Sequence, residues 1–323
     1  MISVLLESIR PGELVFSALE KYHIKIEQHQ LLVKYYSEYY QEEFKDLSFV
    51  ILIEDTVLAL VLCCKLHNKI IYPGEGIKIN VFPDQKFSAA KIFKVIVDDI
   101  EQKSLQYSCS EIVIKDELIE GELSELSSQL FNSRYHAKIT FDMKIDIKKF
   151  NENYFFKNVR KSYKSLINWG RKNLQIEVIN KENCLKDKFL AFKLLHYQVS
   201  KRQTRSDESW DIQYEMLSKG YGELILAFYE NKLVGGALLL DHQDTCIYFT
   251  GAYVRELFNF GLSHFIIYTG IVRSFWRNAA KVFYLGRFDT DIKDEKLYNI
   301  EFFKKGFCKN LTPILLWGKV NEL

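Results

Sequence analysis

Residues 200–217 form a polar stretch between two helix-period segments and hold Arg205, Asp207, Glu208 and Trp210 close together. The Arg205 guanidinium can hold a phosphate or carboxylate through two parallel N–H donors, and the indole of Trp210 could wall a pocket beside it. Ser206 or Asp207 could cap the helix that follows, and Asp207 and Glu208 both suit its first turn. A second group lies further on. Tyr248, Gly251 and Tyr253 stand where an apolar run ends, and Ser263 and His264 open the next helical pattern. Ser263 can cap that helix, whose first N–H groups would attract an anion, while His264 reads either as a packed histidine or as a catalytic one. A third group is basic. Residues 138–172 hold ten Lys/Arg against three acids, a local charge of +7.

Some chemistries lack their motifs. The sequence has no Gly-x-Ser-x-Gly elbow, no Walker loop and no dinucleotide fingerprint, so covalent catalysis is not implied. The six cysteines form no C-x-x-C pair and no His stands at zinc-ligand spacing, so reduced, mostly buried thiols are expected and no metal site is.

These residues need elements to position them. A chain of 323 residues is long for one domain and short for three, so two are expected. With 48% hydrophobic and 15% aromatic residues against 4 prolines and 15 glycines, it can bury sizeable cores. Glu7, Arg10 and Pro11 interrupt the N-terminus too early for a secretory core, and the most apolar run, 57–64, is too short to span a bilayer. A cytoplasmic protein is expected.

The order of elements reads twice. In the first half, helix-period segments at 13–22 and 29–44 precede strand-like runs at 47–55, 57–66 and 69–80. A helix at 87–103, a strand at 111–116, a helix near 122–131 and a strand at 136–146 follow. In the second half, helices at 187–202 and 209–220 precede strands at 223–230, 233–242 and 245–253, with turns at Asn231-Lys232 and Gln243-Asp244. A helix at 262–279, a strand at 281–288, a helix at 294–306 and a strand at 312–319 close the chain. Each half is α-α-β-β-β-α-β-α-β, a meander entering a β-α-β crossover, which implies a mixed sheet covered by helices.

That order resembles the GNAT acyltransferase fold, and two copies in one chain resemble the Fem family of aminoacyl transferases and their acetyltransferase-like relatives. The resemblance implies an α/β chain of two tandem GNAT-like domains, 1–148 and 149–323, each a mixed sheet flanked by helices. Three segments carry it. YFFKNVRKSYKSLINWGRKNLQIEVI resembles the family's linker helix and following strand. Its apolar positions Phe155, Phe156, Val159, Tyr163, Leu166 and Ile167 leave Lys157, Arg160, Lys161, Lys164, Arg171 and Lys172 largely on the other side, a face that reads as solvated or as a site for an anion. LVGGALLLDHQDTCIYFTGAYVRELFNFGLSHFIIY resembles the strands beside the substrate cleft, with their G-x-Y at Gly251 and Tyr253. It keeps only Gly261 of the pyrophosphate loop found in users of acetyl-CoA. KVFYLGRFD followed by IEFFKKGFCKNLTPILLW resembles the closing strand, the F-K-x-x-F segment and the last strand, so Phe303, Lys304 and Phe307 match by position.

The resemblance implies acyl or aminoacyl transfer to a primary amine of a cell-surface glycoconjugate or peptidoglycan-type precursor. Lys304 would offset charge on a tetrahedral intermediate, and Asp207 or Glu208 would accept the amine's proton. Arg205, Trp210, Tyr248, Tyr253, His264, Asp289 and Phe307 would line the site; Asp289 reads equally as a solvated loop acid, and Phe307 as core. No covalently bound cofactor is implied. The donor would be aminoacyl-tRNA, acyl-CoA or acyl carrier protein; a CoA- or carrier-dependent N-acyltransferase and a non-catalytic binding module are the alternatives. A lipid-linked acceptor would bring the protein to the inner face of the membrane. The net charge of +2 hides the basic junction, since the remainder of the chain sums to −5. That segregation, with Arg160 and Lys161 at its centre, favours a polyanionic donor or acceptor.

Overall fold

A computed structural model describes residues 1–8, 19, 26–54, 56–82, 87–118, 120–148, 150–242, 244–278 and 280–321. The helix expected at 13–22 lies outside the described residues, as does Gln243 of the second expected turn. Two compact units divide the chain, Met1–Phe141 together with Pro313–Leu323, and Asp142–Thr312.

The first unit carries β1 (Ile2–Leu5), α1 (Ile26–Tyr40), β2 (Phe44–Asp46), β3 (Phe49–Ile53), β4 (Thr56–Leu62), β5 (Cys64–Leu66), β6 (Lys69–Ile71) and β7 (Lys78–Val81). Next come α2 (Ala89–Gln106), β8 (Glu111–Glu117) and α3 (Glu125–Asn132), with β9 (His136–Asp146) running from this unit into the second. The expected strand at 57–66 is divided at Cys63, because β4 pairs with β3 and β7 while β5 pairs with β2 and β6. The expected strand at 69–80 is divided by a turn in which Gly74 and Gly76 adopt positive φ. Phe49, Ile51, Leu58, Ile92, Ile96, Ile100, Ile112 and Ile114 form the core under α2. The last strand of the chain, β15 (Thr312–Val320), pairs antiparallel with β8 from Ile314↔Glu117 to Val320↔Glu111, so this expected closing strand of the second half builds the first unit.

The second unit contains α4 (Glu152–Asn158), α5 (Lys161–Asn173), β10 (Gln175–Ile179), α6 (Lys186–Ser200), α7 (Asp207–Ser218), β11 (Gly222–Tyr229), β12 (Lys232–His242), β13 (Thr245–Tyr253), α8 (Leu262–Arg277), β14 (Val282–Phe288) and α9 (Glu295–Lys305). Strands β10 to β13 form an antiparallel meander and β14 joins β13 in parallel. The β11–β12 hairpin turns on Glu230 and Asn231, both at positive φ, one residue earlier than expected and as a two-residue loop between right-twisted strands requires.

Strand β12 is buried from Val234 to His242, and its near-continuous apolar sequence reflects cover on both faces. A Cβ on Gly235 would sit 2.8 Å from Ile266 of α8, and one on Gly236 would sit 2.9 Å from Phe192 of α6. Adjacent glycines thus let a helix approach each face, which fixes α8 on one side of the sheet and α6 on the other. No helix among the described residues is long and apolar enough to cross a membrane. The six cysteines are free thiols, four of them buried.

Candidate active site on strand β13

Strand β13 carries candidate site residues on both faces because its register shifts once. Leu238 pairs with Thr250 but Leu239 pairs with Tyr248, so Phe249 is an extra residue and the alternation of faces changes across it. Pairing with β14 covers only Thr245↔Val282 to Ile247↔Tyr284, so beyond Ile247 the two strands share no ladder. The sheet therefore opens between them at Tyr248.

On the α8 face the Tyr248 and Tyr253 hydroxyls are hydrogen-bonded at 2.7 Å. The Tyr248 ring reaches its partner by lying over Gly251, where a Cβ would stand 1.8 Å from the Tyr248 hydroxyl. Burial pushes Tyr248 up to about 12, against the hydrogen bond from Tyr253, and raises Tyr253 well above the ordinary phenol value, so both stay protonated. Two hydroxyls sharing one bond leave one O–H for another acceptor.

Lys304, in the last turn of α9, sets its Nζ 5.1 Å above the Tyr248 ring and 3.8 Å from the position a Cβ on Gly286 would take. Among the described residues no carboxylate lies within ion-pair distance of it. Burial lowers its pKa below the ordinary lysine value, while Glu301 one turn earlier acts in the opposite sense. Glu301 accepts the Asp289 N–H at 2.8 Å and so ties the end of β14 to α9. Its own carboxyl is raised by burial, with the Asp289 charge adding to that. Asp289 turns its carboxylate to the Asp291 N–H, 3.2 Å away. Glu301 went unread in the sequence, although its spacing of three residues from Lys304 puts both on one helix face.

His264 lies in the first turn of α8, its ring 4.3 Å from that of Tyr163, 4.9 Å from Phe303 and 6.0 Å from Phe307. Burial lowers its pKa to about 4, helped by the Arg160 charge, so the ring is neutral at pH 7. Phe307 is buried in the same cluster and packs rather than lining a cleft. Helix α8 is capped by Gly261 in the left-handed region, and Ser263 sits inside the first turn instead of capping it.

Arg160 differs from its expected place on an open cationic face. Its backbone N–H donates to Gly306 O at 2.9 Å, its Nη2 to Phe302 O at 3.0 Å and its Nη1 to the Tyr163 hydroxyl at 3.2 Å. It closes the C-terminus of α9, where free carbonyls favour a cation. Arg171 pairs with Glu152, and Lys144 with Asp142 at 3.0 Å. Lys157, Lys161, Lys164 and Lys172 stay exposed, the last three along α5, whose other face buries Tyr163, Ile167 and Gly170.

The residues of 200–217 gather on the α6–α7 face. Arg205 donates through Nη1 to Thr250 Oγ1 at 3.3 Å and lies 4.9 Å over the Trp210 ring. Trp210 is fully buried among Phe189, Phe192, His196 and Tyr197, so its indole supports Arg205 from the core instead of walling an open pocket. Ser206 caps α7 by accepting the Ser209 N–H. Asp207 is exposed and accepts from Lys193 at 2.7 Å and from the Tyr197 hydroxyl at 3.2 Å. Those bonds hold its carboxyl below the usual range. Glu208 is exposed beside it. Strand β13 thus separates the expected site into a lysine and tyrosine group on one face and an arginine group on the other.

No family model and no curated protein matches the sequence. Solved structures do. FemX is 14% identical, with a TM-score of 0.61 over 91% of this chain and 96% of that one. L-PGS from Bacillus licheniformis is 10% identical, with a TM-score of 0.58 over 95% and 91%. A tandem GNAT protein from the clavulanic acid biosynthesis pathway is 8% identical, with a TM-score of 0.53 over 86% and 84%. At these identities the likeness is one of fold, and the fold is the Fem-like tandem GNAT architecture that the order of elements had led us to expect.

Proposed function

We propose that the protein transfers an acyl or aminoacyl group to a primary amine of a glycoconjugate or peptide acceptor, with the donor carbonyl at Lys304. The carrying observation is the Lys304 ammonium, half-buried beside the opening between β13 and β14 and without an ion-pair partner among the described residues. A fixed cation with no carboxylate in ion-pair contact is suited to an oxyanion that exists only during reaction, and the spare O–H of the Tyr248–Tyr253 pair supplies a second donor.

In the step proposed, the neutral amine nitrogen attacks the donor carbonyl and a C–N bond forms. The C–O bond of an aminoacyl ester, or the C–S bond of a thioester, then breaks. The nitrogen loses one proton and the leaving oxygen or sulfur gains one. Asp207 is a poor acceptor for that proton because Lys193 and Tyr197 stabilise its ionised form. Glu301, whose carboxyl is raised and lies one helical turn from Lys304, suits the role better.

Aminoacyl-tRNA, acyl-CoA and acyl carrier protein are all polyanionic, and the exposed Lys157, Lys161, Lys164 and Lys172 suit any of them. Incubating the protein with each of the three under one mixture of amine acceptors tests the reading. Amide formation with one donor supports it, and no turnover with any would favour a binding module.

A further inference from the structure

A cavity of about 380 Å³ lies in the second unit between the turn after β10, the start of β11 and the second half of α8. No apolar side chain lines it. Four cations do, Lys181, Lys219, Arg273 and Arg277, together with two carboxylates, Glu182 and Glu223. Such a lining suits neither an acyl chain nor an aromatic ring, which need apolar walls. The cavity is separate from the site at Lys304, because Arg273 stands roughly 14 Å along the axis of α8 from His264, the residue that packs on Phe303.

The donors are held from behind. Glu223 is buried, and its two oxygens accept from Arg273 Nε at 2.7 Å and from Arg273 Nη2 at 2.8 Å. Arg277 gives both Nη groups to Asp241 near the end of β12, and its buried Nε, without a hydrogen-bond partner among the described residues, lies 3.4 Å from Glu223 Oε2. Carboxylates thus fix both guanidinium planes before any ligand arrives, which cuts the ordering cost of binding. On another wall, Asn180 and Asn183 cap each other across the turn 181–183, and the Lys181 stem crosses Gly220, where a Cβ would stand 3.1 Å from Lys181 Cδ. Lys219 meets Glu215 at 2.9 Å in an exposed pair, a kind that contributes little and yields readily. Lys181 has no ion-pair partner among the described residues, and Arg273 Nη1 donates to none of them.

The unused donors are therefore single nitrogens on separate side chains, not a guanidinium fork, and they suit the several oxygens of a phosphate better than a flat carboxylate. We propose that this cavity is a second ligand site, which takes the phosphate monoester of a small hydroxyl-bearing molecule, a sugar or polyol phosphate. The dianion sits among Lys181, Lys219 and Arg273, and Glu182, with no ion-pair partner among the described residues, accepts a hydroxyl. At about 380 Å³, room for roughly a dozen water molecules, the cavity is larger than a bare phosphate needs. The site does not depend on the acyl-transfer reading.

The test is titration calorimetry of the full chain with glycerol-3-phosphate, glucose-6-phosphate, inorganic phosphate and glucose, at constant ionic strength. One of the two esters should bind at a single site per chain, about threefold or more tighter than inorganic phosphate, and glucose should give no binding heat. Lys181→Met, at an exposed residue with no ion pair to lose, should weaken the ester by about threefold or more, and Lys181→Met with Lys219→Met by about tenfold or more. Lys161→Glu with Lys164→Glu and, separately, Lys304→Ala should bind the ester as the wild type does, which separates this cavity from the basic face of α5 and from the transfer site. Absence of ester binding would overturn the proposal. So would inorganic phosphate binding as tightly as both esters, a Lys181→Met, Lys219→Met protein that keeps wild-type affinity, or ester binding that Lys161→Glu with Lys164→Glu abolishes. Should the double methionine variant fail to fold, Lys181→Met alone decides.

Discussion

The Tyr248 and Tyr253 hydroxyls meet at 2.7 Å across Gly251, and they can meet only because residue 251 has no side chain. Gly251→Ala should force the Tyr248 ring aside and destabilise the protein by about 1–3 kcal/mol in urea denaturation. In a Tyr248→Phe background the same change should cost less, since the nearest atom, the hydroxyl at 1.8 Å, is gone. Equal costs in the two backgrounds would mean that the clash lies elsewhere.

His264 and His196 are both neutral in the fold, with pKa values lowered to about 4 from 6.5. The unfolded chain therefore takes up protons first as pH falls. The stability they contribute is present above pH 6.5 and is lost as pH drops towards 4, by no more than about 3 kcal/mol for each histidine. Urea midpoints between pH 8 and pH 4 should show this slope, and His264→Leu should make it shallower. An unchanged slope would place the acid sensitivity in other groups.

Arg160 and Lys161 are neighbours with different work. Arg160→Met should lower stability by about 1–2 kcal/mol, because it uncovers the carbonyl end of α9. Lys161→Glu combined with Lys164→Glu should leave stability nearly unchanged, raise KM for a polyanionic donor and flatten its dependence on salt. Kinetics of both variants at two salt concentrations, beside urea curves, check the division.

Reading these residues from sequence succeeded where the signal was local. The element order of the second half was legible in periodicity, and so was the packed face of α5, although the single linker helix expected there is divided into α4 and α5 at Val159 and Arg160; the place of Lys304 after the β-α-β crossover came with the resemblance. What escaped was set by distant partners. Arg160 looked like one more cation in a charge run, yet the carbonyl it satisfies, that of Phe302, is 142 residues away. Trp210 looked like a pocket wall because its neighbours in sequence are polar, while the aromatic rings that bury it come mainly from α6. The division at Cys63 and the pairing of β15 with β8 are matters of strand partnership, which apolar runs do not encode. The opposite facing of Tyr248 and Thr250 depends on one extra residue in β13, and no pattern of period two announces it.

Glu301 raises the pKa of Lys304, which burial otherwise lowers. If the ammonium is the working form, activity is present below that pKa and is lost as pH rises through it, earlier than for an ordinary lysine. Glu301→Gln keeps an acceptor for the Asp289 N–H but removes the charge, so the alkaline limb should move to lower pH. The same variant should lose the acid limb if Glu301 takes the proton from nitrogen. A pH–rate profile identical to wild type would remove Glu301 from the mechanism.

The most direct test is the specific activity of Lys304→Ala with whichever donor, charged tRNA, acetyl-CoA or acyl carrier protein, supports amide formation by the wild type. The account predicts a fall of roughly a hundredfold or more in kcat, as for loss of one oxyanion donor, with the thermal midpoint close to wild type. Full activity in Lys304→Ala would contradict it.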